Sequence, residues 1–210
     1  MRDALLRHLL PVADGVLITW DFDGVLADSE DLHRRSYTIV AERYGFTLTA
    51  EGYRELAGHV EERNWSHLLG RGLDAPTGVE SLRAQRADVF SALAAALEPS
   101  WLAREVIPAL HGVASRQVIV SNNENAVIEH LLERWRLDAP VTLVTRVAGE
   151  DKRRILEDTV VTGSILFDDN DAYIDLGRRL GAFTVGVRHG ANAGSALDAH
   201  VVTHLDGASA

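Results

Sequence analysis

The sequence predicts an α/β fold in which a parallel sheet carries helices on both faces and an all-helical insertion follows the first strand. Three observations predict it. Val16-Leu17-Ile18-Thr19-Trp20 is a short apolar run with the β-branched content of a buried strand, and it stops abruptly at Asp21-Phe22-Asp23-Gly24. Residues 31–99 then read as helix throughout, with no convincing strand. From about Ser100 onward, strand-like and helix-like segments alternate at the spacing of a sheet covered on both sides.

Taken in order, residues before Val16 form an amphipathic helix with Leu5, Leu6, Leu9 and Leu10 on one side. After the first strand, Leu32, Ile39, Val40 and Tyr44 share one helical face that ends near Gly45. A second helical segment runs over 50–69, broken at Gly58 and Gly70, and a third over 81–97 aligns Leu82, Val89, Phe90, Leu93 and Leu97 in one stripe. The α/β pattern resumes with a helix over 102–114, a strand over 117–120, a helix over 124–135 and a strand over 141–145. It continues with a helix over 151–158, a strand over 164–167, a helix over 172–180 and a strand over 183–187, and residues 200–205 read as a short edge strand. The expected organisation is a core of 1–30 and 100–210 with a helical domain of 31–99 inserted into it.

Composition narrows the classes of function. The chain has 210 residues and is 46% apolar, enough for a sizeable core. It contains no cysteine, which removes disulfides, zinc–thiolate sites and thiol catalysis. A formal charge of −10 argues against a nucleic acid polymer or an anionic membrane as partner, because both are bound largely through cationic side chains. The N-terminal segment is too polar for a secretory signal and no stretch reaches the apolar length of a membrane span, so a cytoplasmic protein is expected. A monomer is the expected state. Among 21 basic residues Lys152 is the only lysine.

Four groups of residues carry chemistry. Asp21 and Asp23, two apart at a strand end, can aim both carboxylates at one volume, where their repulsion calls for a proton or a cation; an Asp-rich turn in which Asp23 caps a helix is the plain alternative. Gly24 permits a tight turn or close backbone approach. Ser121 follows the strand over 117–120, and Asn122-Asn123 open the next helix, a place suited to an anion or simply to a helix cap. Lys152 opens a helix and is either a working cation or a surface charge. Asp168-Asp169 end another strand, where adjacent acids are costly without a cation. Three of these groups directly follow expected parallel strands, whose ends share one rim of a sheet.

Asp21-Phe22-Asp23-Gly24-Val25-Leu26-Ala27-Asp28-Ser29 resembles the first motif of the haloacid-dehalogenase-like superfamily, in its branch of small phosphatases and β-phosphoglucomutase-like enzymes with a helical cap. Ser121-Asn122, Lys152 and Asp168-Asp169 resemble the later motifs and follow in the family's order. The resemblance implies a Rossmann-like core and a Mg2+-dependent phosphatase acting on a small phosphorylated metabolite. Asp21 would be the nucleophile that forms an aspartyl phosphate, Asp23 the general acid and base, and Ser121, Asn122, Gly24 and Lys152 the phosphoryl-binding groups. Mg2+ would be held by the Asp21 carboxylate, the Asp23 backbone carbonyl and Asp169, with Asp168 supporting or, in the other register, exchanging roles with it. His33 lies where relatives carry a histidine at the hinge into the cap, or is a helix-surface residue. The segment 58–63 resembles the specificity loop, with Glu61 where mutases place an arginine for a second phosphate and Arg63 able to substitute. A phosphosugar mutase and a catalytically silent regulatory or binding protein are the alternatives. The chain departs from the many relatives that have Gly-Lys-Pro around the lysine and a longer spacing to the last motif. Its second aspartate, Asp23, favours phosphoryl chemistry over dehalogenation.

Overall fold

The structure, a computed structural model, describes residues 2–56, 59, 61–123, 125–137, 139–144 and 151–205. The chain divides into two compact units, one of Met1–Asp28 and Leu97–Ala210 and the other of Ser29–Ala96.

The first unit is an α/β core. Helix α1 (Arg2–Ala13) buries Leu5, Leu6, Leu9 and Ala13 and leads into strand β1 (Leu17–Trp20). After residue 97, a π-helical turn (Leu102–Val106) runs into α6 (Ile107–Leu110), numbered after four helices of the second unit, and into β2 (Arg116–Ile119). Then come α7 (Asn125–Trp135), β3 (Thr142–Leu143), α8 (Lys152–Thr159), β4 (Ile165–Asp168), α9 (Asp171–Arg179), β5 (Phe183–Arg188), a 3-10 turn (Gly190–Asn192) and β6 (Val201–His204). All six strands are parallel, in the order β3-β2-β1-β4-β5-β6. This is the Rossmann strand order, whose reversal between β1 and β4 opens a crevice at the carboxyl ends of the strands.

Side chains alternate across the sheet. On one face Val118 and Leu166 pack with Ile155, Leu156 and Leu176 of α8 and α9. On the other Trp20 stacks on Phe167 with ring centroids 3.9 Å apart, and its Nε1 donates to Gln117 Oε1. Gln117 in turn donates to the Ile107 carbonyl at the head of α6, so a polar side chain buried in this layer has its bonds made. At Gly177 a Cβ would lie 2.6 Å from Leu166 Cδ2, so the glycine lets α9 approach the sheet closely.

The second unit is all-helical: α2 (Glu30–Glu42), α3 (Ala50–Arg54), α4 (Glu61–Gly70) and α5 (Val79–Ala94). Its own core joins Tyr37, Val40, Ala41, Leu56, Trp65, Leu68, Leu73, Leu82 and Val89.

The observed elements match the expected α/β class, with differences at the boundaries. The helix expected over 102–114 is a π-helical turn followed by a short α-helix that ends at Leu110, where His111 leaves the helical region at ψ 131 and Gly112 turns at φ +87; Pro108, with no N–H, has no bond to give back to the turn before it. The segment expected as one broken helix over 50–69 is two, α3 and α4; Gly58, one of the expected breaks, lies outside the described residues. The strand expected over 141–145 is described only as Thr142–Leu143, Thr145 lying outside the described residues, as does Glu124 at the expected start of α7. Strand β4 extends one residue further than expected and takes Asp168 into the sheet.

Candidate functional site

Register places the site. Trp20 of β1 pairs with Ile119 of β2 and with Phe167 of β4, so these strands run in register to one rim, with β4 one residue longer. The ladder closes with Asp21 N–H donating to the Phe167 carbonyl and Val120 N–H to the Trp20 carbonyl. One or two residues beyond, Asp21, Ser121 and Asp168-Asp169 arrive at the same rim from three strands, at the reversal of strand order.

Lys152, the first residue of α8, reaches this rim. Its Nζ lies 2.7 Å from Asp21 Oδ2 and 2.8 Å from Asp168 Oδ2, and 4.4 Å from the centroid of the Tyr173 ring. Only 1% of the lysine and none of Asp168 is exposed. An ammonium buried this deeply persists because it is paired twice; the other hydrogen-bonding sites of the carboxylates are used as well, Asp21 Oδ1 accepting from Phe22 N–H and Asp168 Oδ1 from Asn170 N–H.

Among the described residues, oxygens of Asp21, Asp168 and Asp169 lie within 4.8 Å of one another. Two of these carboxylates, Asp21 and Asp168, share the one ammonium, and the crowding of negative charge is reflected in their protonation. Burial, opposed by Lys152 and reinforced by repulsion from Asp168 and Asp169, pushes Asp21 well above the ordinary carboxylate range. Burial, again opposed by Lys152 and reinforced by Asp169, pushes Asp168 up to about 6. Burial by itself would lower the lysine, but Asp168 and Asp21 outweigh it and raise it. A divalent cation among these oxygens relieves the repulsion, and an all-carboxylate donor set suits a hard ion such as Mg2+. The residues present therefore fit the metal.

The Asp23 carboxylate is not one of the three in this cluster and has partners of its own. Its Oδ1 accepts from Asn123 Nδ2 at 3.1 Å and its Oδ2 from Ser121 Oγ at 3.4 Å, and the two carboxylates that join Asp21 in the cluster come from the end of β4. The reason is local. The period of two holds only while the chain is extended, and β1 stops at Trp20; Gly24, at φ +71, then turns the chain, with Gly24 N–H donating to the Ala27 carbonyl. Ser121 Oγ also accepts from Asn123 N–H, and Asn122 Nδ2 donates to Tyr173 Oη.

Of the adjacent acids, Asp168 lies in the strand and takes the lysine, while Asp169, one residue on, is partly exposed and accepts from a residue the sequence reading passed over. His189 Nε2 lies 2.7 Å from Asp169 Oδ2. A signal existed for His189, because it directly follows β5 and so reaches the same rim as the other site residues. Tyr173 carries no such signal in the sequence, and Asn123, expected only to open the helix after β2, holds the Asp23 carboxylate as well.

His33, Glu61 and Arg63 lie in the helical unit. His33 stacks on Phe90 and its Nδ1 faces Arg86 NH2 at 2.7 Å. Arg86, which the sequence reading did not mark, also lies 3.3 Å from Glu61 Oε1 and over the Tyr37 ring at 4.4 Å. Glu61 accepts from Trp65 Nε1 as well. The guanidinium beside Glu61 is thus that of Arg86, whereas Arg63 is exposed and contacts His59.

Residues 18–153 match the model of the family described as haloacid dehalogenase-like hydrolase. A curated relative from Thermotoga maritima, named phosphorylated carbohydrates phosphatase, is 28% identical over 198 residues, 86% of this chain and 88% of its own. Among solved structures, CbbY from Rhodobacter sphaeroides in complex with phosphate superposes with a TM-score of 0.71 at 20% identity, over 91% of this chain and 97% of its own. A beta-phosphoglucomutase from Clostridium difficile superposes with a TM-score of 0.66 at 16% identity, over 90% of each chain.

Proposed function

Because this chain belongs to the haloacid dehalogenase-like hydrolase family and is a phosphoric monoester hydrolase of it, we propose that it dephosphorylates a small phosphorylated metabolite through an aspartyl-phosphate intermediate with the help of Mg2+. The observation that carries the reading is the buried lysine shared by Asp21 and Asp168 beside a third carboxylate, all at the carboxyl rim of a parallel sheet.

Asp21 is the nucleophile. Its carboxylate oxygen attacks phosphorus, the bond to the substrate oxygen breaks, and Asp23 protonates the departing alkoxide. In the second half Asp23 takes a proton from water, whose oxygen attacks the aspartyl phosphate, releasing inorganic phosphate and restoring Asp21. Ser121 and Asn123 hold the Asp23 carboxyl in place for both transfers. Lys152 keeps a fixed positive charge against Asp21, which lowers the cost of bringing an anionic nucleophile to an anionic phosphate. Asp21, the Asp23 carbonyl and Asp169 would hold the metal, which when bound supplies further positive charge against the phosphoryl oxygens. Asp168 supports Lys152. Phosphoryl binding falls to Ser121, Asn122 and the backbone at Gly24, and substrate choice to the helical unit through His33, Glu61 and Arg63.

The curated relative's name supports a phosphorylated carbohydrate as the class to test first. The same reading is of a cytoplasmic monomer with no nucleic acid polymer or membrane as partner; among the described residues no helix is long and apolar enough to cross a membrane. The test is phosphate release from a panel of sugar phosphates with Mg2+ and with EDTA, run on wild type and Asp21→Asn. Mg2+-dependent release by wild type and none by a folded Asp21→Asn is expected. Retained turnover in Asp21→Asn overturns the nucleophile, and isomerisation without phosphate release marks a mutase instead.

A further inference from the structure

The turn after β5 is built around Asp169. His189 Nδ1 accepts from Ala191 N–H, which in a neutral ring leaves the proton on Nε2, the nitrogen that faces Asp169 Oδ2 at 2.7 Å. Asn192 ties this turn to the end of β4. Its Nδ2 donates to the Asp169 and Val187 carbonyls, each at 2.8 Å, and its Oδ1 accepts from His189 N–H, also at 2.8 Å. The third wall is Gly24. A Cβ there would lie 2.5 Å from Asp169 Oδ2 and 2.8 Å from His189 Nε2, so the bare glycine lets the loop after β1 close on this pair. The His189 side chain is 6% exposed against 23% for Asp169, so the bond is shielded from water on the histidine side.

We propose that His189 is a positioning residue for Asp169: by donating Nε2–H to Oδ2 it holds the carboxylate in one orientation for the divalent cation. This rests on the metal-dependent reading above. A carboxylate left to rotate loses that freedom when a cation binds, whereas one already fixed by a hydrogen bond does not, and groups that orient metal ligands in this way commonly contribute 10- to 100-fold in affinity. A histidine on Oδ2 also occupies an oxygen the cation could use, and were that effect the larger, removing the histidine would tighten binding instead.

The test is Mn2+ binding in the absence of substrate, followed by electron paramagnetic resonance, for wild type, His189→Ala and His189→Gln, with urea unfolding in EDTA alongside. His189→Ala is expected to bind Mn2+ about 10- to 100-fold more weakly with an unfolding midpoint close to wild type, and His189→Gln, whose amide can donate to the same oxygen, to recover part of the loss. Equal or tighter binding by His189→Ala overturns the proposal, as does weakened binding that tracks loss of the fold and is not restored by His189→Gln. Wild type that binds no metal overturns the site reading itself, a result distinct from either.

Discussion

Replacing Lys152 with methionine tests the electrostatics of the site most directly. The ammonium is buried and paired at 2.7 and 2.8 Å with two buried carboxylates, so Lys152→Met keeps most of the apolar stem and leaves those acids without their cation. Removing one partner of a buried pair costs about 3–5 kcal/mol. Protonation sets a ceiling. At pH 7 a carboxyl with an unfolded-state pKa near 4 can be neutralised for about 3 units × 1.4 kcal/mol, or about 4 kcal/mol, so a larger penalty from one acid would be avoided by taking up a proton. The sign with pH follows. A carboxyl whose folded-state pKa is raised, as that of Asp168 is to about 6 even with the lysine present, contributes stability that is full below about pH 4 and is lost as pH rises through the folded value. Without Lys152 that value moves higher. The variant's deficit against wild type in EDTA is therefore expected to be about 3–5 kcal/mol at pH 7 and smaller at pH 5, and Mg2+ is expected to restore part of it. Urea unfolding at the two pH values, with EDTA and with Mg2+, measures this. A Lys152→Met protein as stable as wild type at pH 7 in EDTA, or a deficit that does not change with pH, refutes the reasoning.

Two glycine substitutions probe close approaches. Gly24→Ala places a methyl into Asp169 and His189 at a backbone φ of +71, so it is expected to weaken Mn2+ binding at least 10-fold and to cost about 1–2 kcal/mol in stability; unchanged metal affinity counts against the cradle. Gly177→Ala gains about 1 kcal/mol of helix propensity but drives a Cβ to 2.6 Å from Leu166 Cδ2 and 3.0 Å from Thr184 Cγ2, an overpacking of about 1–3 kcal/mol, and a melting temperature above wild type contradicts that balance.

Local pattern by itself determined the α/β class, because a buried strand and an amphipathic helix each announce themselves within a few residues. The apolar runs at β1, β2, β4 and β5 and the helical stripes between them needed nothing distant to be read. Parallel strands end on one rim, so the same pattern also brings Asp21, Ser121 and Asp168-Asp169 to a common edge. Tertiary structure decided what the side chains there do to one another. Neighbouring residues on a strand point to opposite sides, so which acid meets Lys152 depends on where β4 ends, and its extension through Asp168 gives the lysine to that residue and Asp169 to His189. The pairing of Glu61 with Arg86 joins positions 25 residues apart on two helices, α4 and α5, and no local period encodes it. The pairing of the Asp23 carboxylate with Ser121 and Asn123 likewise depends on strands that meet only once the chain has folded. His189 follows β5 onto that rim, but a hydrogen-bond partner supplied by a distant segment leaves no periodic trace in the sequence, so its pairing with Asp169 is decided only by the folded chain.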